Sequence, residues 1–233
     1  MLCEKTFAMN EQEADKIFRH AREENVYVAD GLWTRYMPVW TQVKQLLCDG
    51  AIGMPCMIKA ESCCKAEKVE RIRSVALGGG ALLDMGVYAL NFARIICCDA
   101  PVSISSTVEY LSSGVDKDVS MLLQYPDGMM AQLHTSVADD CTPATGGLVY
   151  GTMGCLLVDS IIRPRRIEVL RHGGNLSEKQ ILIRDEGTGY EHEVASCMRD
   201  LAEGCTEPRD MSHSETLFLL GQIDQVRLAW QQR

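Results

Sequence analysis

Three side chains carry the most chemistry. Asp84 and Tyr88 stand four apart in a long apolar run over residues 81–98. The run reads as a buried helix, so the two share a face, which Asn91 extends. A carboxylate in apolar surroundings must find a partner or shift its pKa. A phenol one turn on can donate a hydrogen bond or a proton. The plainer reading of the same spacing is a polar pair satisfied inside the core. Lys5 follows Glu4 at the end of a short apolar run and before a helix. In a parallel α/β sheet that is the carboxyl end of a strand, where ligands bind. A lysine there sets a cation or a proton donor beside a substrate, unless it is a solvated surface residue.

Trp33, Arg35 and Tyr36 follow a second predicted strand, again at its carboxyl end. Arginine in that place suits a hydroxyl, carboxylate or phosphate, and an interdomain packing cluster is the alternative. Gly78-Gly79-Gly80 precede the apolar helix and leave room for a ligand at its N-terminus, or form a plain loop. The histidines (His20, His134, His172, His192 and His213) show no metal-ligand spacing. No nucleophile elbow and no Ser/His/Asp arrangement stands out, and no metal is expected.

The elements that must position these groups are legible in outline. Residues 1–3 read as a strand. Asn10 followed by Glu13 reads as a capping box, and Ala14, Ile17, Phe18 and Ala21 continue it at helical spacing. Residues 26–29 read as a second strand. Strand, helix, strand is a unit of a parallel sheet, which needs more than two strands to bury its faces. Residues 39–48 predict a helix, 52–62 a strand, and the charged stretch 65–74 an exposed loop. From residue 102 the pattern turns to β: 103–110, 120–125, 129–137, 148–150, 155–159, 167–171 and 180–183 each suit a strand. Pro126-Asp127-Gly128 and Gly151-Thr152-Met153-Gly154 mark turns between them. The expected sheet is large, open and mostly antiparallel. Two helices close the chain, 190–203 and 212–231, the second opened by a capping box at Ser212 and Glu215.

Composition narrows the class. The chain has 233 residues, 46% hydrophobic, with 23 basic against 32 acidic side chains and a net charge of −9. That is one large domain or two small ones, with no basic run to favour nucleic acid. The eleven cysteines are odd in number, include the adjacent pairs Cys63–Cys64 and Cys97–Cys98, and form no C-x-x-C. They read as reduced thiols of a cytoplasmic protein, mostly small buried hydrophobes, rather than a disulfide framework or zinc cage.

Leu2-Cys3-Glu4-Lys5, Gly31-Leu32-Trp33-Thr34-Arg35-Tyr36-Met37-Pro38 and Gly79-Gly80-Ala81-Leu82-Leu83-Asp84-Met85-Gly86-Val87-Tyr88 occur in order. With Tyr150-Gly151-Thr152-Met153-Gly154 and the final Glu215-Thr216-Leu217 helix, they resemble the Gfo/Idh/MocA oxidoreductases across nearly the whole chain. The Trp-Thr-Arg and Asp-x-x-x-Tyr forms resemble its dihydrodiol dehydrogenase branch.

The resemblance implies an α/β plus α+β architecture. Residues 1–34 would be the C-terminal remnant of a Rossmann βαβ unit that binds NAD or NADP. Residues 35–233 would be the substrate and dimerisation domain, its open sheet joining a homo-oligomer and its last helix packing back on the Rossmann part. It implies hydride transfer between nicotinamide and a sugar, polyol or dihydrodiol. Tyr88 would be the acid/base, Lys5 would polarise the carbonyl or lower the Tyr88 pKa, and Asp84 would orient substrate. Glu4, Lys5, Trp33 and Arg35 would border the cofactor. Thr6 stands where the family has proline. No G-x-G-x-x-G follows a strand, so the N-terminal part of the Rossmann domain is expected to be missing and cofactor binding by this chain to be weak. Three readings stay open: a fragment of a dehydrogenase, a non-catalytic sugar-binding or dimerisation module, and a chain completed by a partner protein.

Overall fold

The computed structural model describes residues 1–171, 179–182 and 187–230. The chain opens with β1 (Leu2–Glu4), α1 (Glu11–Glu23) and β2 (Ala29–Gly31), and the two strands pair in parallel. Asn10 caps α1 by accepting from the Glu13 N–H at 2.9 Å, while the Glu13 carboxylate reaches back to the Met9 N–H. Ala14, Phe18 and Ala21 form its buried stripe, with Ile17 at the margin. The second strand starts later than the pattern predicts. Asn25 leaves the helix in the left-handed region, and the turn takes up the residues before Ala29.

α2 (Val39–Cys48) and β3 (Pro55–Cys63) lie where expected. The charged stretch 65–74 is not plain loop. It holds the short helix α3 (Glu70–Arg73), pinned by the buried Ile72. The Gly80 N–H donates to Ile72 O at 3.0 Å, and a Cβ at Gly79 would meet Ile72 O at 2.3 Å. The glycines let two backbones touch, so they are packing residues of this corner.

The apolar run also differs from a simple helix. It opens as a wider π turn over Leu82–Gly86 and continues as α4 (Val87–Ile96). Asp116 accepts from the Leu82 N–H at 2.6 Å, and the side chains of Lys5 and Thr6 donate to the carbonyls of Asp84 and Leu83. Side chains inserted at the carbonyl ladder are a recognised cause of such widening. The segment Val75–Ile96 is long and apolar enough to span a membrane, but 72% of its most apolar window is buried inside the fold.

The remaining strands are β4 (Ser103–Tyr110), β5 (Asp116–Gln124), β6 (Met130–Ser136), β7 (Gly147–Gly151), β8 (Gly154–Val158), β9 (Arg166–Arg171) and β10 (Lys179–Leu182). With β3 they make one eight-stranded sheet, ordered β10-β9-β8-β7-β3-β6-β5-β4. It is mixed: β3 and β6 run parallel and every other pair antiparallel. Residues 183, 172 and 231, at which predicted elements or histidines fall, lie outside the described residues.

α5 (Tyr190–Ala202) and α6 (His213–Trp230) follow. α4 and α6 cover one sheet face, where Ile58, Val119, Leu123, Leu133 and Leu156 are buried. α6 also packs on α1, and the buried His213 ring contacts Val28 O at 2.9 Å and stacks on Phe18. Ser212 caps α6 through the Glu215 N–H, but the Glu215 carboxylate turns to Arg35 and Arg94 instead of completing the predicted box. All eleven cysteines are free, yet only Cys63, Cys97 and Cys197 are buried, so most are not the core hydrophobes the composition suggests.

Gly79→Ala should destabilise the chain by about 1–3 kcal/mol, the usual cost of overpacking, because backbone and not a flexible side chain stands in the way. Urea denaturation of the variant checks it.

Candidate active site

The carboxyl ends of β1 and β2 and the π turn meet at one place. Lys5 Nζ donates to Asp84 O at 2.5 Å and approaches Asp84 Oδ1 at 3.1 Å. Arg71, delivered by α3, donates to the same Oδ1 at 2.7 Å. The second oxygen, Oδ2, has no hydrogen-bond partner among the described residues. Burial alone would raise the Asp84 pKa, but Lys5 and then Arg71 outweigh it and hold the carboxyl below its usual range. Asp84 is therefore ionised. A cavity of about 370 Å³ lies against Lys5, Thr6, Met9, Arg71, Leu83 and Asp84.

Tyr88 comes one turn after Asp84 and is 5% exposed. Its Oη accepts from Trp33 Nε1 at 3.2 Å, which leaves the phenolic proton free to be donated. Lys5 Nζ lies 4.9 Å from the centre of the Tyr88 ring. The expectation that Lys5 lowers the Tyr88 pKa is not met. Burial dominates and pushes the phenol up; the Trp33 hydrogen bond opposes it, and Lys5 faces the ring while bound to Asp84.

Trp33 belongs to a 3₁₀ turn, Trp33–Tyr36, directly after β2, and stacks on Tyr190 at 5.1 Å. Gly189 makes that stack possible. It has φ +100, and a Cβ there would come within 2.5 Å of the indole. Arg35, from the same turn, does not join Lys5, Asp84 and Tyr88. Its guanidinium donates to Asn91 Oδ1 at 3.0 Å and Glu215 Oε2 at 2.6 Å, and Arg94 holds the other Glu215 oxygen. Asn91 likewise serves this network. Arg35 thus fixes the turn that carries Trp33 rather than bordering the cavity.

Glu4 sits among acids. Burial pushes Asp30 up to about 7, against hydrogen bonds from Thr216 and Leu32. Glu193, on α5, is also raised to about 7, by burial and then by the charges of Glu4 and Asp30. Asp30 Oδ1 and Glu193 Oε2 are buried without a partner among the described residues. Sequence reasoning missed Arg71, Asp30 and Glu193. Only the glycine triplet hinted at Arg71, because it marks where α3 is drawn in. Among the described residues, no group of three or more side chains could hold a metal ion.

A parallel βαβ unit and a large mixed sheet share one core, with a lysine and an Asp-x-x-x-Tyr pair converging where they meet, in an α/β architecture. Residues 40–157 match the GFO/IDH/MocA C-terminal domain, and the chain belongs to that family. It is 29% identical to trans-1,2-dihydrobenzene-1,2-diol dehydrogenase of Xenopus tropicalis, over 97% of this chain and 69% of that protein. It is 26% identical to an NADP(+) scyllo-inositol 2-dehydrogenase of Bacillus subtilis, over the same shares of each. Among solved structures, an aldose-aldose oxidoreductase from Caulobacter crescentus complexed with glycerol superposes with a TM-score of 0.87 at 18% identity, covering 99% of this chain and 70% of that one. A 3-ketoreductase from Actinomadura kijaniata in complex with NADP and TDP-benzene gives 0.87 at 20%, covering 98% and 70%. These two likenesses establish the fold.

The raised acids make stability depend on pH. A carboxyl whose folded pKa lies above its unfolded value stabilises fully below about pH 4, and that contribution is lost as pH rises through about 7. The urea midpoint should therefore fall as pH rises from about 4 to about 7, and Asp30→Asn should flatten the fall. Equal slopes in variant and parent would remove Asp30 from the account.

Proposed function

We propose that this chain carries the substrate side of an NAD(P)-dependent oxidoreductase, which moves a hydride between nicotinamide and a hydroxyl or carbonyl of a sugar, polyol or dihydrodiol. The observation that carries the reading is the meeting of Lys5, Asp84 and Tyr88 from segments 79 residues apart. The dihydrodiol and inositol dehydrogenases among its relatives support the substrate class. In this reading residues 1–34 belong to the nucleotide side and 35–233 to the substrate domain.

The residues present fit the nicotinamide end of the cofactor. Glu4, Lys5 and Trp33 stand at the carboxyl ends of two parallel strands, and the orphaned Asp30 and Glu193 oxygens lie in the same acidic group. No residue is assigned to the pyrophosphate. The nicotinamide, when bound, supplies or takes the hydride. Tyr88, kept protonated by burial, donates its proton to the substrate carbonyl oxygen during reduction. The Lys5 ammonium adds a positive field where negative charge develops on that oxygen. Asp84, held on Oδ1 by two cations, offers Oδ2 to a neighbouring substrate hydroxyl. Trp33 and Tyr190 offer an aromatic wall to a ring. Arg35 positions Trp33 from behind.

The test is NAD(P)H oxidation with carbonyl forms of aldoses, inositols and dihydrodiols. Tyr88→Phe should lower kcat by about 10²–10⁴-fold with KM little changed. Because the Tyr88 pKa is raised, the reductive rate should hold level through about pH 10 before the donor is lost. An unchanged kcat in the variant would remove Tyr88 from the mechanism.

The open sheet face supports a partner as well. It exposes Leu122 and Met130 beside Lys59 and Glu61, so apolar surface and charges of both signs lie on one patch, a self-complementary surface for a second copy. Sedimentation should show a homo-oligomer that Leu122→Glu dissociates. A monomer at high concentration would contradict this.

A further inference from the structure

Three thiols gather where β3 ends. The Cys64 N–H donates to Ser136 O and the Cys63 N–H to Ala144 O, so the segment 137–146 runs beside residues 61–66. Lys68 pairs with Asp139 at 2.5 Å, and the Asp139 N–H donates to Glu67, which fastens the two segments together. On that segment, Cys141 Sγ lies 3.4 Å from Cys64 O. The Cys141 sulfur thus touches the backbone that carries the Cys64 side chain, and a disulfide between them needs the two side chains to rotate toward each other and the loop to shift.

Cys63 and Cys64 are successive residues at a strand end and point to opposite faces. Cys63 shares the face of Lys59 and Glu61 but is buried there, and burial first, then the nearby Cys141, pushes its thiol up to about 11. Cys64 and Cys141 are both half-buried and so open to a small reagent. Burial raises the Cys64 thiol, Asp84 adds to this, and Lys5 and Arg71 oppose it, so the charged site group acts directly on this sulfur.

We propose that Cys64 and Cys141 form a redox-active thiol pair, which hydroperoxides oxidise to a disulfide at the flank of the Lys5–Asp84–Arg71 group. One thiolate attacks the peroxide oxygen, breaking the O–O bond, and becomes a sulfenic acid while the peroxide leaves as an alcohol or water. The second thiol attacks that sulfur, forming the S–S bond, and the sulfenic oxygen leaves as water. Two thiols and one hydroperoxide give one disulfide, one water and one alcohol (a second water for hydrogen peroxide), so the thiols lose two electrons and two protons. Closure pins 137–146 to the end of β3, beside the charges of Asp84, Lys5 and Arg71 that act on the Cys64 sulfur. The assignment is independent of the reaction proposed above.

The experiment uses the full chain with the exposed Cys48, Cys56 and Cys98 replaced by serine, treated with hydrogen peroxide and digested without reductant. Mass spectrometry should find a Cys64–Cys141 linked peptide, lighter by two hydrogens and restored by dithiothreitol. The link should vanish in Cys141→Ser and in Cys141→Ala, each leaving Cys64 free to alkylate. Linkage of Cys63 to either partner, sulfinic or sulfonic acid without any link, or thiols that alkylate as before treatment would each overturn the proposal.

Discussion

The Lys5–Asp84 contact is the joint on which the site depends. One ammonium binds both the backbone carbonyl and the carboxylate of the same residue, at 2.5 and 3.1 Å. That ties the carboxyl end of β1 to the first turn of the apolar helix. It also orients the next turn, where the Tyr88 ring receives the same ammonium. An unpaired aspartate this deep would be driven to its neutral form. With two cations on Oδ1 it stays charged and keeps its other oxygen for a ligand. The Thr6 hydroxyl, bonded to Leu83 O, fastens the same turn from the next residue.

Behind this joint stands a second polar group, Arg35, Asn91, Arg94 and Glu215. It links the turn after β2, α4 and the start of α6. Glu215 holds two arginines, and its carboxyl is kept below its usual range against the pull of burial. Buried ion groups add little net stability, but removing one member strands the rest, so the arrangement fixes geometry more than it adds energy. Its effect is to hold Trp33 against Tyr88 and Tyr190.

Local chemistry was legible in the sequence, and long-range chemistry was not. Asn10 with Glu13, and Pro126-Asp127-Gly128, are read from a few neighbours, and each forms the cap or turn expected. Lys5, Asp84 and Tyr88 were legible because strand ends and helix spacing say where side chains point. Arg71 was hidden because its segment has no periodicity; Ile72 and the touching backbone at Gly79 and Gly80 pull it in. The π turn was hidden because donors from Lys5 and Thr6 shape it. Glu215 looked like half of a capping box, and two arginines outcompete the backbone for it.

The parallel pairing of β3 with β6 has a consequence for how the chain assembles. β3 is an inner strand of the sheet, yet its neighbours β6 and β7 begin only at Met130 and Gly147. During synthesis β3 is made early and then waits, both edges unpaired, while α3, α4, β4 and β5 emerge. Pairing across so much intervening chain is slow, because loop closure must precede any contact it makes favourable. An inner strand with open edges is a template for wrong partners until then. Along β3, Lys59 and Glu61 stay exposed. Their charges give the waiting strand a face that resists mispairing.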